Sequence, residues 1–196
     1  MALITTNKLP EFCKPELLFK LDAPLALVGL KPSTLMGKKN WDILRKEHVY
    51  PKHDFVCEFC GETETTKKKW VFRSWDGMDC HEEYKINWEI GQVEIAGYMG
   101  VCRRCHAFKH IRRNILMDRT RATYRIWEIL AHGIKVANDN SIPVRWEEVP
   151  EHNIQFRDWF LRFEGIDYSS NFDSTGDFID REIRNKQLKM LQKGYW

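Results

Sequence analysis

The chain has 196 residues and a formal net charge of +3, so it is not a protein that coats nucleic acid through its overall charge. Its hydrophobic fraction of 43%, with 8 Trp and 11 Phe, excludes intrinsic disorder, because disordered chains have few aromatic residues and a high net charge. No run reaches the roughly 18 apolar residues of a membrane span, and the N-terminus lacks the pattern of an export signal. We therefore expect a cytoplasmic protein with no membrane partner.

Residues 1–39 are predicted to form an N-terminal arm, because four prolines disfavour a long helix there. Residues 15–21 are expected to form only one or two helical turns. Apolar residues spaced by three or four predict a helix from residue 39 to about residue 50, and Pro51 ends it.

The middle of the chain is predicted to contain a β-hairpin. Its two β-prone runs, 70–75 and 78–84, are joined by Asp76 and Gly77, a pair typical of tight turns. A tight cysteine turn over residues 55–61 and a polar loop over residues 63–69 precede the hairpin.

The second half of the chain is predicted to be mainly helical. An apolar run over residues 90–100 leads into a helix that ends near residue 115. Periodic apolar residues predict a further helix over 118–133, with Gly133 as its C-cap, and an amphipathic helix over 151–164. A polar amphipathic helix is predicted over 177–192.

Four of the six cysteines form two C-x-x-C pairs, namely Cys57, Cys60, Cys102 and Cys105. In a chain without an export signal, such pairs indicate a tetrahedral Zn²⁺ site rather than disulfides. Four protein thiolates would leave no open position on the ion, so its role would be structural. The alternative is a set of buried thiols without a metal. Cys80 is interpreted as a small buried strand residue and Cys13 as a free thiol.

Three histidines predict a second centre. His81 lies on a predicted strand, whereas His106 and His110 are four residues apart and project from one face of a helix. Three imidazoles from two adjoining elements indicate a metal or catalytic site. The alternative for His81 is a core histidine or a relic of lost activity. The alternative for His106 and His110 is that they bind the structural zinc or cap the helix.

Residues 40–115 resemble the HNH nuclease superfamily, which has the ββα-metal fold with double C-x-x-C zinc knuckles. The resemblance rests on Trp41, on the Cys57 and Cys60 knuckle, on Cys80-His81-Glu82, on Gly97 and on Cys102-x2-Cys105-His106-x3-His110.

The resemblance implies a metal-dependent endonuclease that hydrolyses DNA phosphodiester bonds by nicking or cleaving. A divalent ion such as Mg²⁺, Mn²⁺ or Zn²⁺, held by His81, His106 and His110, would contact the scissile phosphate and stabilise the leaving oxygen. A neutral histidine on the strand would take a proton from the attacking water.

The chain departs from the family pattern in two places. Cys80 stands where the family has a metal-binding Asp or His directly before the base. If His81 is the metal ligand, the base position falls on Glu82, so either His81 or Glu82 is the base. Asn87 and Gln92 are the candidates for the residue that orients the base.

Basic residues are concentrated beside these histidines. Residues 101–126 carry eight basic and one acidic side chain, a local charge of +7. This charge predicts a salt-sensitive contact with DNA phosphates. The residues expected to make that contact are Arg103, Arg104, Lys109, Arg112 and Arg113. The alternative is an ordinary solvated face.

The predicted fold class is α+β, with a zinc-stapled ββα-metal core of the HNH or treble-clef-like kind over residues 40–116. The arm over residues 1–39 precedes this core, and a helical C-terminal extension over residues 117–196 follows it. We expect DNA as the partner, in a bacterial or phage-infected host cell, with the extension available to dock a larger protein assembly. The alternative function is a catalytically inactive zinc module that binds nucleic acid or a protein partner.

Overall fold

The computed structural model describes residues 9–27, 30–63, 77–111, 123–145 and 147–170. These residues form a mixed α and β structure with one four-stranded sheet. The helices are α1 (Pro32–Leu35), α2 (Gly37–Ile43), α3 (Arg103–Lys109) and α4 (Thr123–Asp139). The strands, in sheet order, are β1 (Met78–Asn87), β2 (Gln92–Cys102), β3 (Phe160–Phe163) and β4 (Ile166–Ser169).

The predicted helix near residue 40 is confirmed, although its second half differs in geometry. Helix α2 continues directly into a π-helical segment, Leu44–Val49, and Pro51 then begins a 3₁₀ turn, Pro51–His53. Trp41 packs edge-on against Tyr98 of β2, with ring centroids 5.9 Å apart. This helix therefore covers one face of the sheet.

Strands β1 and β2 form a long antiparallel hairpin that leads directly into α3. The register pairs Met78 with Cys102 at one end and Asn87 with Gln92 at the other. The predicted first strand, over 70–75, lies outside the described residues. Strand β1, which carries His81, pairs over its whole length with β2, which contains most of the predicted apolar run over residues 90–100.

The predicted helix over residues 151–164 is wrong. The chain makes a short 3₁₀ turn, Phe156–Asp158, and then forms β3, which lies parallel to β2. Buried and more exposed side chains alternate here with a period of two, which fits a strand; they are Trp159, Phe160, Leu161, Arg162 and Phe163. Glu164 and Gly165 both have positive φ, 52° and 78°, as a two-residue type I′ turn into β4 requires. The described part of the C-terminal extension is therefore not purely helical.

Gly133 is an interior residue of α4 and not its C-cap, so this prediction is also wrong. A Cβ atom at position 133 would lie 2.1 Å from the Phe108 ring of α3. Because glycine has no side chain, α4 can pack closely on α3 at this point. The helix then continues to Asp139. The helix predicted over 177–192 lies outside the described residues.

The N-terminal arm is held on the domain by hydrogen bonds. The Lys109 ammonium of α3 donates to the carbonyl oxygens of Leu17 at 2.8 Å and of Lys20 at 2.9 Å. The backbone N–H of Leu21 donates to the Glu147 carboxylate at 2.7 Å. These contacts fix the chain directly before residue 22.

Among the described helices, none is both long and apolar enough to span a membrane.

Candidate metal centres

The two C-x-x-C pairs come together in the fold. The Sγ atoms of Cys57, Cys60, Cys102 and Cys105 all lie within 4.8 Å of one another, and all four are free thiols. The Sγ atoms of Cys60 and Cys102 are 3.9 Å apart. A tetrahedral zinc with Zn–S bonds of about 2.3 Å places its sulfur atoms about 3.8 Å apart. The cluster can therefore hold a structural metal such as zinc, as the sequence predicts.

The first cysteine pair is tied to β2 through Glu58, which lies between the two cysteines. The Glu58 N–H donates to the carbonyl oxygen of Gly100 at 2.9 Å, and the Gly100 N–H donates to the Glu58 carboxylate at 2.7 Å. Gly61 closes the turn with a positive φ of 70°, and its N–H donates to the carbonyl oxygen of Cys57. The turn thus lies beside the end of β2, where Cys102 begins α3.

The second cysteine pair forms the start of α3. Cys102 is the N-cap, and its Sγ accepts a hydrogen bond from the Cys105 N–H at 3.4 Å. Hydrogen bonds from the side chains of Cys105, Cys57 and Cys60 lower the pKa of Cys102 and favour its thiolate, the form that binds metal. The corresponding contacts with Cys102 raise the pKa values of Cys60 and Cys105. His132 of α4 lies with Nε2 at 3.2 Å from the Cys105 Sγ. Helix α4 therefore contacts the thiol cluster directly.

Three histidines converge at a second place in the structure. One ring nitrogen each of His81, His106 and His110 lies within 4.8 Å of the others. The ring centroids are 5.5 Å apart for His81 and His106, 5.1 Å for His81 and His110, and 4.7 Å for His106 and His110. His81 comes from β1 and is only 2% exposed, whereas the other two come from the end of α3 and are partly exposed.

Two carboxylates orient the helix histidines. The Nδ1 of His106 donates to Asp79 Oδ2 at 3.0 Å, and the Nδ1 of His110 donates to Asp22 Oδ2. An ionised carboxylate accepts only, so each Nδ1 carries a proton, and the Nε2 of each ring lies on the side away from its carboxylate. Burial alone would raise the pKa of Asp22, but the charge and hydrogen bond of His110 outweigh burial and hold that pKa well below its ordinary value.

The remaining ring nitrogens fit a metal ion. The Nε2 atoms of His106 and His110 face each other at 3.0 Å. Two nitrogens bound to one zinc at about 2.0–2.1 Å would be about 3.3 Å apart. His81 contributes one ring nitrogen to the cluster. Its Nδ1 is buried and has no hydrogen-bond partner among the described residues, and burial lowers the pKa of this imidazole well below its usual value. The three rings could therefore hold a metal ion together.

Sequence reasoning missed Asp22 and the role of Asp79. Asp79 lies two residues before His81 on β1, and this spacing places both side chains on one face of the strand. That period-two relation was the available signal for Asp79. Asp22 had no signal, because it lies in the arm, 88 positions before its partner His110, and only the fastening of the arm to α3 brings it there.

Of the other residues of the predicted motif, Cys80 and Glu82 adjoin His81 on β1, whereas Asn87 and Gln92 lie too far along the hairpin to orient a base there. Glu82 follows His81 and lines a large cavity together with His106 and His110, and burial raises the pKa of its carboxyl. Cys80 packs in an apolar cluster with Val49, Tyr50 and Met78, and burial raises its pKa, as expected for a buried strand thiol. Asn87 and Gln92 pair at the far end of the hairpin.

The residues predicted to bind phosphates are separated by the fold. Arg103 and Arg104 lie partly exposed at the start of α3, where Arg103 Nε is 3.8 Å from the Asp79 carboxylate and Arg104 donates to Glu62 at 2.7 Å. Lys109 is only 9% exposed, and its ammonium holds the carbonyl groups of the arm, so it does not lie on an exposed basic face. Arg112 and Arg113 lie outside the described residues.

In comparisons with protein-family models, curated proteins and solved structures, nothing matches the chain. The two side-chain clusters and their surroundings therefore carry the functional argument.

Proposed function

We propose that this protein is a metal-dependent endonuclease of the HNH type that hydrolyses DNA phosphodiester bonds. The observation that carries the proposal is the meeting of three imidazoles, with the Nε2 atoms of His106 and His110 3.0 Å apart. Glu82 lines one cavity together with His106 and His110. Three protein nitrogens leave positions open on a cation, which is the arrangement of a catalytic metal site.

The order of elements around the cluster supports this proposal. An antiparallel hairpin leads directly into a helix, and the histidines come from the first strand and from that helix. The thiol cluster lies at the junction of β2 and α3, so a zinc there would fix the helix relative to the hairpin. This order of elements is compatible with the ββα-metal fold that the sequence motif implies.

The residues would divide the chemistry among them. His81, His106 and His110 would hold the divalent ion, while Asp79 and Asp22 keep the helix imidazoles in the tautomer that presents Nε2. When bound, such an ion polarises a phosphoryl oxygen and stabilises the charge that develops on the leaving oxygen. Carboxylates that accept a hydrogen bond from Nδ1 orient the metal-binding nitrogen of the same ring and raise its basicity.

Glu82 is the better candidate for the base. His81 is almost fully buried and belongs to the nitrogen cluster, so it suits a ligand. Glu82 lines the large cavity beside His106 and His110, where a water molecule and a phosphodiester have room. A carboxylate in that position can accept the proton of the attacking water and pass it to solvent.

The test is an assay of plasmid nicking with matched variants. The wild-type protein, given Mg²⁺, Mn²⁺ or Zn²⁺, is expected to convert supercoiled plasmid to the nicked form. Glu82→Gln should lose about 10²- to 10⁴-fold in rate and keep the affinity of the second metal site. His81→Ala should lose both the nicking rate and the affinity of the second metal site. His48→Ala, which removes an exposed histidine of the π-helical segment, should change neither quantity.

The alternative is an inactive zinc module. DNA binding without nicking under the whole set of divalent ions would favour it and overturn the nuclease. Nicking that survives His81→Ala would show a contaminating enzyme and would also overturn the proposal.

A further inference from the structure

The side chain of Lys109 is held against the arm and is almost buried. It is 9% exposed, and its ammonium donates to the carbonyl oxygens of Leu17 at 2.8 Å and of Lys20 at 2.9 Å. A buried ammonium needs hydrogen bonds in place of the water it has lost. The two carbonyls lie at the C-terminal end of the 3₁₀ segment Pro15–Phe19, where a cation is favourable because the last carbonyls of a helix carry a partial negative charge. Lys109 therefore fastens the arm to α3.

The residues that follow these anchors make the contact with the histidine cluster. His110 comes directly after Lys109, and its Nδ1 donates to the carboxylate of Asp22. Only Leu21 separates Asp22 from the anchored Lys20, and the Leu21 N–H donates to the Glu147 carboxylate at 2.7 Å. The fastening of the arm therefore sets the position of the Asp22 carboxylate.

We propose that Lys109 is a positioning residue of the histidine cluster. It holds the arm so that Asp22 orients His110, and it thereby raises the affinity of the cluster for a divalent ion. Lys109 acts through the arm and not on a DNA phosphate, which is the role that the sequence predicts for it. The proposal rests on the second metal site of the proposed function, but it concerns metal binding and needs no DNA.

A nearby cation and a positioning residue have opposite effects on a metal site. Burial is the main cause of the low pKa of His81, and the charge of Lys109 lowers that pKa further, so this charge reaches the cluster. A positive charge repels a divalent ion, and its removal alone would raise the metal affinity. Loss of a carboxylate that orients a metal-binding histidine lowers the affinity by about 10- to 100-fold. The sign of the change therefore separates the two roles.

The experiment measures the affinity of the histidine cluster for Co²⁺ by competition with a chromophoric chelator, in protein whose thiol cluster is filled with zinc. Lys109→Met keeps the length of the side chain and removes the ammonium. It should lower the affinity by about 10-fold, at the lower end of the range for loss of an orienting carboxylate. Lys46→Met removes the same charge from an exposed side chain of the π-helical segment and should have no effect.

A double variant shows whether Lys109 acts through Asp22. Because Lys109→Met acts by displacing the Asp22 carboxylate, it should cause no further loss of affinity in an Asp22→Asn background, within about 2-fold, the usual scatter of such cycles. Two independent effects on the stability of the fold would instead multiply.

A second readout follows the arm itself. Hydrogen exchange at the Leu21 amide should be faster in Lys109→Met than in the wild-type protein. Filling the histidine cluster with metal should slow this exchange in the wild-type protein, because coupling between two sites is reciprocal. If Lys109→Met does not fold, as judged by far-ultraviolet circular dichroism, Glu147→Ala weakens the fastening from the exposed side and should change the affinity and the exchange in the same directions.

The inference and the nuclease fail in different ways. Unchanged or higher Co²⁺ affinity in Lys109→Met, losses that multiply in the double variant, or the lack of any Co²⁺ site at the histidines would overturn the inference. If plasmid nicking depends on His81 while Lys109→Met binds Co²⁺ like the wild-type protein, the nuclease stands and the positioning role is wrong. If the affinity falls as expected and no divalent ion supports nicking, the positioning role stands and the nuclease is wrong.

Discussion

The thiol cluster and the histidine cluster lie at opposite ends of the short helix α3 and are built in different ways. The four thiols come from two local turns, and three of them are fully buried. The histidines come from β1 and α3; His106 and His110 line a large cavity, and His110 is oriented by Asp22 from the arm.

This is the difference expected between a structural metal site and a reactive one. A cluster that supplies four ligands from its own turns leaves no position on the metal for a substrate, so it can be buried. A cluster of three nitrogens beside a cavity leaves room for a substrate, and it requires outside groups to orient its rings. The following predictions test whether the two clusters behave as this division requires.

The largest effect is expected from loss of a zinc thiolate. Cys105→Ser should abolish cooperative folding, because apparent zinc binding at such sites contributes about 10–16 kcal/mol to folding. Thermal unfolding and metal analysis of the purified variant measure this effect. Cys13→Ser is the control, because Cys13 lies outside the cluster, and its Sγ donates to the Cys57 carbonyl oxygen at 3.5 Å. A stable, cooperatively folded Cys105→Ser protein would show that the thiol cluster is not a structural zinc site.

The next effect concerns Asp22. Asp22→Asn should lower the metal affinity of the histidine cluster by about 10- to 100-fold, because the amide cannot replace the charged acceptor of the His110 Nδ1–H. Competition between the protein and a chromophoric chelator for Co²⁺ or Zn²⁺ measures this change. Glu16→Gln removes an exposed carboxylate of the same arm and should have no effect. Unchanged affinity in Asp22→Asn would mean that the arm does not take part in the site.

A pH effect should arise from His81 when the histidine cluster carries no metal. Burial lowers the pKa of His81 in the folded chain well below about 6.5, the value expected in the unfolded chain, so the unfolded state takes up the proton first. The free energy of unfolding should therefore fall as the pH falls below about 6.5, by about 1.4 kcal/mol one pH unit lower. Urea unfolding at several pH values, compared with His81→Gln, isolates this contribution. Parallel pH profiles for the two proteins would contradict the prediction.

The smallest effect is expected from His132, the partner of the thiol cluster. His132→Phe removes the contact between Nε2 and the Cys105 Sγ and should lower stability by about 1 kcal/mol. Zinc should also leave the thiol cluster faster when a chelator is added. The metal affinity of the histidine cluster should not change, which is the reverse of the result for Asp22→Asn. If both variants affect both sites, the two clusters are coupled and the division between them is wrong.

The members of the two side-chain clusters were predictable from the sequence because their spacing is local. Two C-x-x-C turns, and two histidines one helical turn apart, place ligands on one side of a turn or helix wherever those elements lie. The helix near residue 40 was also readable from its periodic apolar residues and its final proline. The segment 151–164 misled the same reasoning, because aromatic side chains spaced for a helix face also alternate as a strand requires.

The pairing of the strands and the carboxylates that orient the histidines could not be predicted from local spacing. Local sequence identifies β2 only as an apolar run. Its parallel partner β3 comes from a segment about 60 residues further along the chain. The local sequence predicts Gly133 as a helix C-cap. The fold shows that a glycine is needed there because any side chain would collide with the Phe108 ring. Lys109 looked like a phosphate ligand, but the arm covers it.

The amino-acid sequence alone determined which side chains can bind metal, because their chemistry and their spacing along a turn or helix belong to a few consecutive residues. The tertiary structure alone decided that Asp22 orients His110 and that His106, His110 and Glu82 line one cavity. These relations depend on distances between segments far apart in the chain, which close only when the arm, the sheet and α3 pack together.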